Sequence, residues 1–540
     1  MRLRRSTAYP SRFFIKQQQQ KEHVVSMAAR SILLLVCALA TAWLVFLSYP
    51  AQSRAAVAWL AWVPFIWGTL RVRKSWAAFF YGWFTAFLFH AALLYWVYYT
   101  CVHGGGMTVA ASLQAWLGLC ALLSLQFGFF GFSCYFLRKT GPFFPFLAAF
   151  GFVTLEWLHQ CLAFYGLGFP WLMWGYTQWN TPQFLQVASW TGVYGVSFIL
   201  VLVSALIATS LGVQRIRRGI FCVFVAAAVW LGAYWWGDSR LPIKDQSGTT
   251  GNGDHLTAAV MQPNIDQYKK WNPEFEQEII HTIQTMGREL AKTKPQLVVW
   301  PESVTPGELL EDSYFKLMED ITAHSGAYQV IGSSIAQDGK QYVGAYLMTP
   351  KLNQLQVYRK IKLVPFGEFI PLEKQVKRFL PGVEILGELG SFSPGTFPQP
   401  LLEMDNLLLG STICYEAIFP QLWLQQSRQG AQLFVNLTND AWFFNTAAPH
   451  QHLAANVMRA VETGRPVLRA ANTGISAVID AFGRIEQKTD LFTRATLEEQ
   501  VALPREGYVT PYTQRGNLFV WVCAVFFFSL LISTMVFAYE

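Results

Sequence analysis

A cysteine, a lysine and two acidic residues lie in sequence contexts that are typical of a catalytic site. Cys414 directly follows the β-branched run Leu407–Ile413, where a strand is expected to end and the chain to turn. Glu302 stands just past the apolar run Leu297–Trp300, and the segment Tyr358–Glu368 adds amines and a second carboxylate. A thiol becomes a good nucleophile when a base accepts its proton and a nearby cation lowers its pKa. A carboxylate, an ammonium and a thiol together therefore predict an acyl-transfer site.

Cys414 stands apart from the other cysteines of the chain. The remaining ones all lie in or beside long apolar runs, so no disulfide can form within the polar region around Cys414. An unpaired cysteine in an oxidising compartment suggests a thiol kept for reactivity, and the alternative is an inert cysteine at a strand end. His450 and His452 could form a Cys-His pair, but a spacing of two places them on different helix faces. The sequence has no HExxH, CxxC, GxGxxG or P-loop pattern, so neither a metal nor a cofactor is expected.

The elements that must position these residues are expected to lie in two solvents. Of 540 residues, 53% are hydrophobic and only 14% are charged, which excludes an ordinary soluble protein and a disordered chain. Only two of the 33 acidic residues, Glu22 and Glu156, precede Asp238. The first half is therefore expected in lipid and most of the second half in water. The net charge of +8 does not indicate nucleic-acid binding, because the early basic residues cluster between apolar runs.

Eight apolar runs are candidates for membrane spans, since crossing ~30 Å of hydrocarbon takes about 20 apolar residues. They cover residues 31–49, 55–70, 77–98, 107–136, 141–164, 191–213, 219–236 and 518–538, and the second is short enough to be re-entrant. Lys and Arg cluster in the N-terminal tail and in every second connecting loop, which predicts that these parts and both termini are cytoplasmic.

The span pattern divides the chain into four predicted parts. These are a basic cytoplasmic tail (1–29), a membrane domain with seven spans (30–238), an extracytoplasmic catalytic domain (239–515), and a last span with the C-terminus (516–540). The Gly/Ser-rich segment Ser247–Asp254 is the expected linker into the catalytic domain.

Two features of the predicted membrane domain have alternative interpretations. The uncharged stretch 165–190 is rich in Trp and Tyr, which is typical of an aromatic belt at the outer interface. It could instead form a rim that admits lipid sideways to an active site. Glu156 lies inside a predicted span, where an ionisable group indicates a function by default. The alternative is a structural contact between helices, with His159 as the expected partner.

The region from 256 to 510 has a different apolar pattern. Short β-branched runs alternate with polar helical stretches, which predicts a layered α/β sandwich. Helices are expected over 274–293 and 450–463. The expected strands are Leu256–Met261, Leu297–Trp300, Gln329–Gly332, Tyr342–Met348, Leu407–Ile413, Leu433–Leu437 and Ile475–Ile479.

Three motifs in this region resemble the nitrilase superfamily: Trp300–Ser303 (WPES), Tyr358–Lys360 (YRK) with Leu363–Glu368 (LVPFGE), and Cys414–Glu416 (CYE). More narrowly they resemble the bacterial apolipoprotein N-acyltransferases. Further stretches that carry the resemblance are Gln262–Ile265 with Trp271, Asn439–Phe443, Pro449–His452, Gly464–Pro466, Ala471–Gly474, Gly168–Trp171 and Gly192–Phe198. Phe444 stands where the family usually has Gly, His159 replaces a more usual Arg, and the tail before Arg30 is longer than typical.

The resemblance implies a polytopic α-helical membrane domain with an inserted extracytoplasmic α/β nitrilase-like αββα sandwich domain. It implies Glu302 as base, Lys360 as oxyanion stabiliser and Cys414 as nucleophile. Lys360, not Lys362, occupies the family position. Further implied roles are a supporting one for Glu368 and substrate binding for Trp271, Tyr415 and Glu416.

The implied reaction moves a fatty acyl chain from a phospholipid, through a Cys414 thioester, to the α-amino group of an S-diacylglyceryl-cysteine at the N-terminus of an apolipoprotein. The expected location is the bacterial inner membrane, with a periplasmic catalytic domain and a monomeric chain. One rival interpretation is a membrane-tethered nitrilase-type amidase, for which eight spans and an aromatic rim make little sense. Another is an inactive lipid-binding scaffold, against which the complete triad argues.

Overall fold

The computed structural model describes residues 12–212, 216–242, 254–352, 354–370, 378, 392–505 and 507–536. Most of the predicted linker Ser247–Asp254 lies outside these residues. The α-helices of the N-terminal half are α1 (Arg12–Ser48), α2 (Val63–Thr69), α3 (Ser75–Leu93), α4 (Tyr95–Tyr99), α5 (Val109–Leu137), α6 (Phe144–Phe164), α7 (Pro182–Leu185), α8 (Ala188–Thr191), α9 (Val193–Ser210) and α10 (Ile216–Asp238).

Within the described residues, six segments are long and apolar enough to cross a membrane. They are Ala28–Ser48, Ser75–Leu93, Val109–Phe164, Val193–Ser210, Ile216–Asp238 and Leu518–Val536. The third contains two helices, α5 and α6, because Gly141 adopts φ +63° and Pro142 follows it. The predicted run 55–70 is a 3-10 turn followed by the short α2, which is too short to span by itself.

Glycines bring α3 and α5 into close contact. A Cβ at Gly131 would overlap the main-chain oxygen of Ala78, and a Cβ at Gly82 would overlap that of Phe127. In lipid, where no hydrophobic effect drives helices together, such small residues allow the backbones to approach and the helices to pack. The α3–α5 pair therefore depends on the absence of side chains at these positions.

The C-terminal half contains two six-stranded sheets. One has the order β12-β1-β2-β3-β4-β5 and the other β11-β10-β9-β8-β7-β6. The strands are β1 (His255–Gln262), β2 (Leu297–Val299), β3 (Tyr328–Gln337), β4 (Lys340–Met348), β5 (Leu355–Arg359), β6 (Leu402–Met404), β7 (Leu407–Ile413), β8 (Leu433–Thr438), β9 (Val467–Ala471), β10 (Ala477–Ile479), β11 (Ile485–Lys488) and β12 (Ala495–Ala502).

The sheets pack face to face and helices cover their outer sides, which confirms the predicted sandwich. Alternate strand residues divide between two cores: Val260 and Val299 pack between the sheets, whereas Met261 and Val298 pack under the outer helices. Among the ranges described above, the longer stretches of this half contain the helices α11 (Glu276–Thr293), α12 (Asp312–Ser325), α13 (Pro420–Arg428), α14 (Ala448–Thr463), α15 (Pro511–Arg515) and α16 (Leu518–Val536). The first strand pairs antiparallel with the last, with His255 opposite Ala502.

All the predicted strands and both predicted helices of this half are confirmed, within a few residues at their ends. The pattern missed β5, β6, β9, β11, β12 and the helices α12 and α13. Strand β9 was missed because Arg469 interrupts its apolar run, although this residue is fully buried.

Most aromatic residues inside the stretch 165–190 do not lie on the surface, although Tyr165 and Trp190 at its two ends are 81% and 43% exposed. Trp171, Trp174, Tyr176 and Trp179 are all buried. The stretch is a loop with short helical turns that packs between the apolar helices and the sandwich. The interpretation as an aromatic belt is therefore wrong for these side chains.

We expect Gly131→Ala to lower the midpoint of thermal unfolding in detergent, because the added methyl group must push α5 away from α3. Gly118→Ala on the same helix is the matched control, since nothing lies within 4 Å of a Cβ there. The control should be neutral or stabilising by up to about 1 kcal/mol, since Ala favours a helix over Gly. Equal effects of the two substitutions would contradict the close packing of α3 and α5.

Candidate active site

The ammonium group of Lys360 lies at the centre of the site. Lys360 follows β5, its side chain is completely buried, and Nζ lies 3.0 Å from Oε1 of Glu302 and 2.6 Å from Oε1 of Glu368. Burial alone would lower the pKa of Lys360, but the two carboxylates outweigh it and hold that pKa well above its usual range. Lys360 is therefore a permanent cation in the site.

Glu302 is held at both carboxylate oxygens. Oε1 accepts a hydrogen bond from Lys360, and Oε2 accepts one of 3.0 Å from the backbone N–H of Asn439, just past the end of β8. Glu302 itself follows β2 by three residues. The proposed base is thus fixed between the ends of strands from both sheets.

Glu368 closes the other side of Lys360. Its second oxygen, Oε2, accepts a 2.8 Å hydrogen bond from the backbone N–H of Val364, within its own loop. Burial raises the pKa of Glu368, and the nearby charge of Lys360 opposes that shift. Glu368 is therefore fixed by its own loop in contact with the Lys360 ammonium.

Cys414 follows β7 directly, as predicted, and has a left-handed backbone with φ +49°. It is 8% exposed. Burial raises the pKa of its thiol well above the usual value; Glu302 raises it further, and Lys360 lowers it only in part. The expected lowering by the ammonium is present, but burial and Glu302 outweigh it, so a base must remove the Cys414 proton before the sulfur can act as a nucleophile.

Glu416 connects the segments that carry the thiol and the lysine. One carboxylate oxygen accepts hydrogen bonds from the backbone N–H groups of Ile361 and Lys362, at 2.6 and 3.1 Å. The other accepts from the N–H of Ile413 at 2.7 Å and from the Tyr358 hydroxyl at 3.0 Å. Glu416 is completely buried. This geometry supports a role in positioning the catalytic segments.

The other residues named from the sequence lie around this centre. Tyr415 is buried and stacks on Phe169 of the aromatic loop, with ring centroids 5.9 Å apart. Trp271 is half-buried on the loop after β1. Lys362 points away from the thiol, because its Nζ donates to the main-chain oxygen of Phe164 at the end of α6 and lies 3.6 Å from the Phe164 ring centroid.

His452 was set aside in the sequence analysis, yet it contacts the backbone of the nucleophile. Its Nε2 lies 2.9 Å from the main-chain oxygen of Cys414, and its Nδ1 lies 2.9 Å from Oδ1 of Asp440. Arg469 donates to Oδ2 of Asp440 at 2.7 Å. The spacing of two residues describes only how the two histidines lie relative to each other. It does not show that the end of β7 lies against His452.

Cys414, Asp440 and His452 bring potential metal ligands within 4.8 Å of one another. Both ring nitrogens of His452 and both carboxylate oxygens of Asp440 already have protein partners. A metal would have to displace these contacts, so the donor set fits a hydrogen-bonded network better than a metal site. The same contacts argue against a Cys-His-Asp triad, since Nε2 faces the Cys414 carbonyl group.

The aromatic loop joins the apolar helices to the site. Gln451 on α14 accepts hydrogen bonds from the indole N–H groups of Trp171 and Trp96, at 2.8 and 3.1 Å, and donates to the main-chain oxygen of Leu93. The Trp171 ring lies 5.2 Å from that of His452. The membrane-type helices and the sandwich therefore share one packed junction directly beside Cys414.

Glu156 and His159 do not form the pair that the sequence suggested. Glu156 accepts a 2.6 Å hydrogen bond from the backbone N–H of Trp174. His159 contacts Gln126 through Nδ1 and accepts from the N–H of Phe169 through Nε2. Both residues hold the aromatic loop, at separate positions.

Comparison with known proteins follows the same division of the chain. Residues 257–508 match the family model described as "Carbon-nitrogen hydrolase", and residues 41–206 match "Apolipoprotein N-acyltransferase N-terminal domain". The protein named "Apolipoprotein N-acyltransferase" from Geobacter metallireducens is 32% identical over 500 residues, which cover 89% of this chain and 91% of that protein. Its namesake from Brucella melitensis is 31% identical over 446 residues, 79% of this chain and 80% of its own. This chain belongs to the apolipoprotein N-acyltransferase family.

As a member of that family the protein is a membrane-embedded acyltransferase with a nitrilase-like domain. A crystal structure of an amidase from Nesterenkonia sp. is also similar, at 21% identity over 48% of this chain and 94% of its own, with a TM-score of 0.36. The family resemblance inferred from the motifs is thus confirmed over most of the chain.

We expect Glu416→Gln to impair this acyltransferase by displacing its catalytic segments. The amide offers one acceptor oxygen where the carboxylate offers two, and its NH₂ group would face backbone donors. A buried donor left without a partner costs about 1–3 kcal/mol. The unfolding midpoint and the rate of Cys414 labelling should both fall. Glu403→Gln is the matched control, since Glu403 is exposed on strand β6 of the same sheet. Wild-type behaviour of Glu416→Gln would contradict the positioning role.

Proposed function

We propose that this enzyme transfers a fatty acyl chain from a phospholipid to the α-amino group of an S-diacylglyceryl-cysteine at the N-terminus of an apolipoprotein. The observation that carries the proposal is the contact of Lys360 with both Glu302 and Glu368, next to Cys414 and against an apolar helical domain. Both substrates are held by lipid, so a site at the junction of sandwich and helices suits them.

In the first step the Cys414 thiol attacks the ester carbonyl carbon of the phospholipid while Glu302 accepts the thiol proton. The tetrahedral oxyanion lies beside the Lys360 ammonium, which offsets its charge. The C–O bond then breaks, Glu302 returns the proton to the leaving oxygen, and a lysophospholipid departs. Cys414 keeps the acyl group as a thioester.

In the second step the neutral α-amine of the diacylglyceryl-cysteine attacks the thioester carbonyl carbon. Glu302 accepts a proton from the attacking nitrogen, and Lys360 again offsets the oxyanion charge. The C–S bond breaks, the proton goes to the sulfur, and the amide product leaves. Burial of Cys414 limits hydrolysis of the thioester by water.

The surrounding residues take supporting roles in this proposal. Trp271 presents an aromatic face for the apolar parts of the substrates, and Tyr415, stacked on Phe169, shapes the substrate-binding site from behind. Glu368 holds the Lys360 ammonium at the oxyanion position. Glu416 holds the segment around Lys360 through the hydroxyl group of Tyr358 and the two backbone N–H groups that follow Lys360. The complete constellation comes from one chain, which favours a monomer.

The proposed topology has eight spans, with α2 and the preceding turn as a short second crossing. The proposed parts are the cytoplasmic tail 1–29, the membrane domain 30–238, the periplasmic catalytic domain 239–515, and the last span with the C-terminus 516–540. The inner membrane is the proposed location, since the basic residues fall in the tail and in every second loop, and therefore all on one side, the proposed cytoplasmic side.

We expect intact-mass spectrometry after mixing with phospholipid to show one added acyl group on the wild type and none on Cys414→Ala. Lys360→Met should slow single-turnover acylation by about 10²–10³, the typical effect of losing one oxyanion stabiliser. Lys362→Met is the matched control, and its rate should stay near that of the wild type, since that side chain is held at Phe164.

Addition of a diacylglyceryl-peptide should then remove the acyl group and yield N-acyl-peptide. Release of free fatty acid alone would favour an amidase-type hydrolase. Failure of the wild type to acquire an acyl group would favour a lipid-binding scaffold. A dead Lys362→Met beside an active Lys360→Met would overturn the assignment of the lysine.

A reporter fused after Asp254 and one fused after Tyr539 are expected to fall on opposite sides of the membrane. At Asp254 a reporter that works only after export should be active. At Tyr539 a reporter that works only in the cytoplasm should be active, because one span separates the two positions. The same side for both fusions would contradict the proposed orientation.

A further inference from the structure

A second lysine is buried at the site and has no part in the mechanism above. Lys270, on the loop between β1 and α11, is 1% exposed, and its Nζ lies 3.4 Å from the main-chain oxygen of Glu302. The Trp271 ring centroid is 5.7 Å from the same nitrogen. Among the described residues no carboxylate lies within ion-pair distance of it. Burial of an ammonium group with a single long hydrogen bond costs free energy of folding.

The charges of the site explain why a second cation is useful there. Two buried carboxylates, Glu302 and Glu368, share one ammonium, that of Lys360. A buried carboxylate without a balancing charge tends to take up a proton. If Glu302 were already protonated, it could not accept the proton of Cys414.

We infer that Lys270 is a positioning residue for the base: its ammonium supplies the second positive charge that allows Glu302 and Glu368 to be ionised together before Cys414 attacks. This inference rests on the proposed function, in which Glu302 is the base. Lys270 does not touch the reacting atoms in this scheme. It acts through Glu302, whose backbone oxygen it contacts and whose carboxylate attracts its charge.

The charge of Lys270 changes within an accessible pH range. Burial lowers the pKa of Lys270 to about 8, and the charge of Glu302 opposes that shift. Below this value Lys270 is a cation and balances the carboxylates; above it the lysine becomes neutral. Glu302 faces Lys270, Lys360 and Glu368 lie beyond Glu302, and Cys414 adjoins them. On its own loop, Asp266 accepts from the backbone N–H of Lys270 through its main-chain oxygen.

The test is the pH profile of single-turnover acylation of Cys414 in Lys270→Met, between about pH 6 and about pH 9.5. Loss of the cation should lower the rate about tenfold at the acid end of this range, because a carboxylate without its balancing charge more readily takes up a proton. The two profiles should converge at alkaline pH, where Lys270 of the wild type is also neutral. Lys270→Gln is a second neutral variant in case Lys270→Met does not fold. Lys269→Met is the matched control, because Lys269 is an exposed neighbour on the same loop.

A merely structural defect would lower the rate by the same factor at every pH, and that result would overturn the inference, as would a profile that superimposes on the wild type. Infrared difference spectra give a readout that does not need acyl transfer. At the acid end of this range Lys270→Met should show a stronger protonated carboxyl band than the wild type, and this increase should disappear in the double variant with Glu302→Gln. Its absence would also refute the role. If the wild type forms no acyl-enzyme, the proposed function fails while the infrared result still decides the role of Lys270.

Discussion

The burial of one ammonium group constrains the catalytic half of the molecule more than any other contact. A charge without solvent must be paired at close range, or it destabilises the fold by several kcal/mol. Lys360 therefore requires Glu302, which follows β2 of the same sheet, and Glu368 from its own loop, at 3.0 and 2.6 Å. These contacts fix the ends of β2 and β5, and Asn439 extends the same arrangement to the second sheet.

At the junction between the helices and the sandwich, buried aromatic side chains form hydrogen bonds through their polar atoms. Trp96 and Trp171 are large enough to fill the space between the two halves, and a buried indole N–H usually binds an acceptor. Gln451 provides one acceptor for both, and its own N–H binds the end of α3. An aromatic loop that the sequence placed at the lipid surface is consequently a packed layer under Tyr415 and His452.

The chemistry of the site could be predicted from the sequence because its main residues stand at strand ends, which local apolar patterns reveal. Cys414 after β7 and Glu302 after β2 are examples. The contacts of Glu416, His452 and Lys270 could not be predicted, because each of these residues binds a partner 32 to 55 residues away in the chain. Strand β9 was missed for a related reason. An arginine is typical of a surface position, and the sequence does not show the ion pair with Asp440 that accompanies the burial of Arg469. Phe444 adopts φ +51°, a left-handed conformation that favours Gly, which is the residue that the resemblance gives at this position.

The antiparallel pairing of β1 with β12 determines how the sandwich joins the helices. Because His255 lies opposite Ala502, the sandwich begins and ends at one place. A folded unit whose two ends are adjacent can stand in a loop between two helices without forcing those helices apart. The helices before and after the sandwich can therefore pack in one bundle although a whole domain separates them in the sequence.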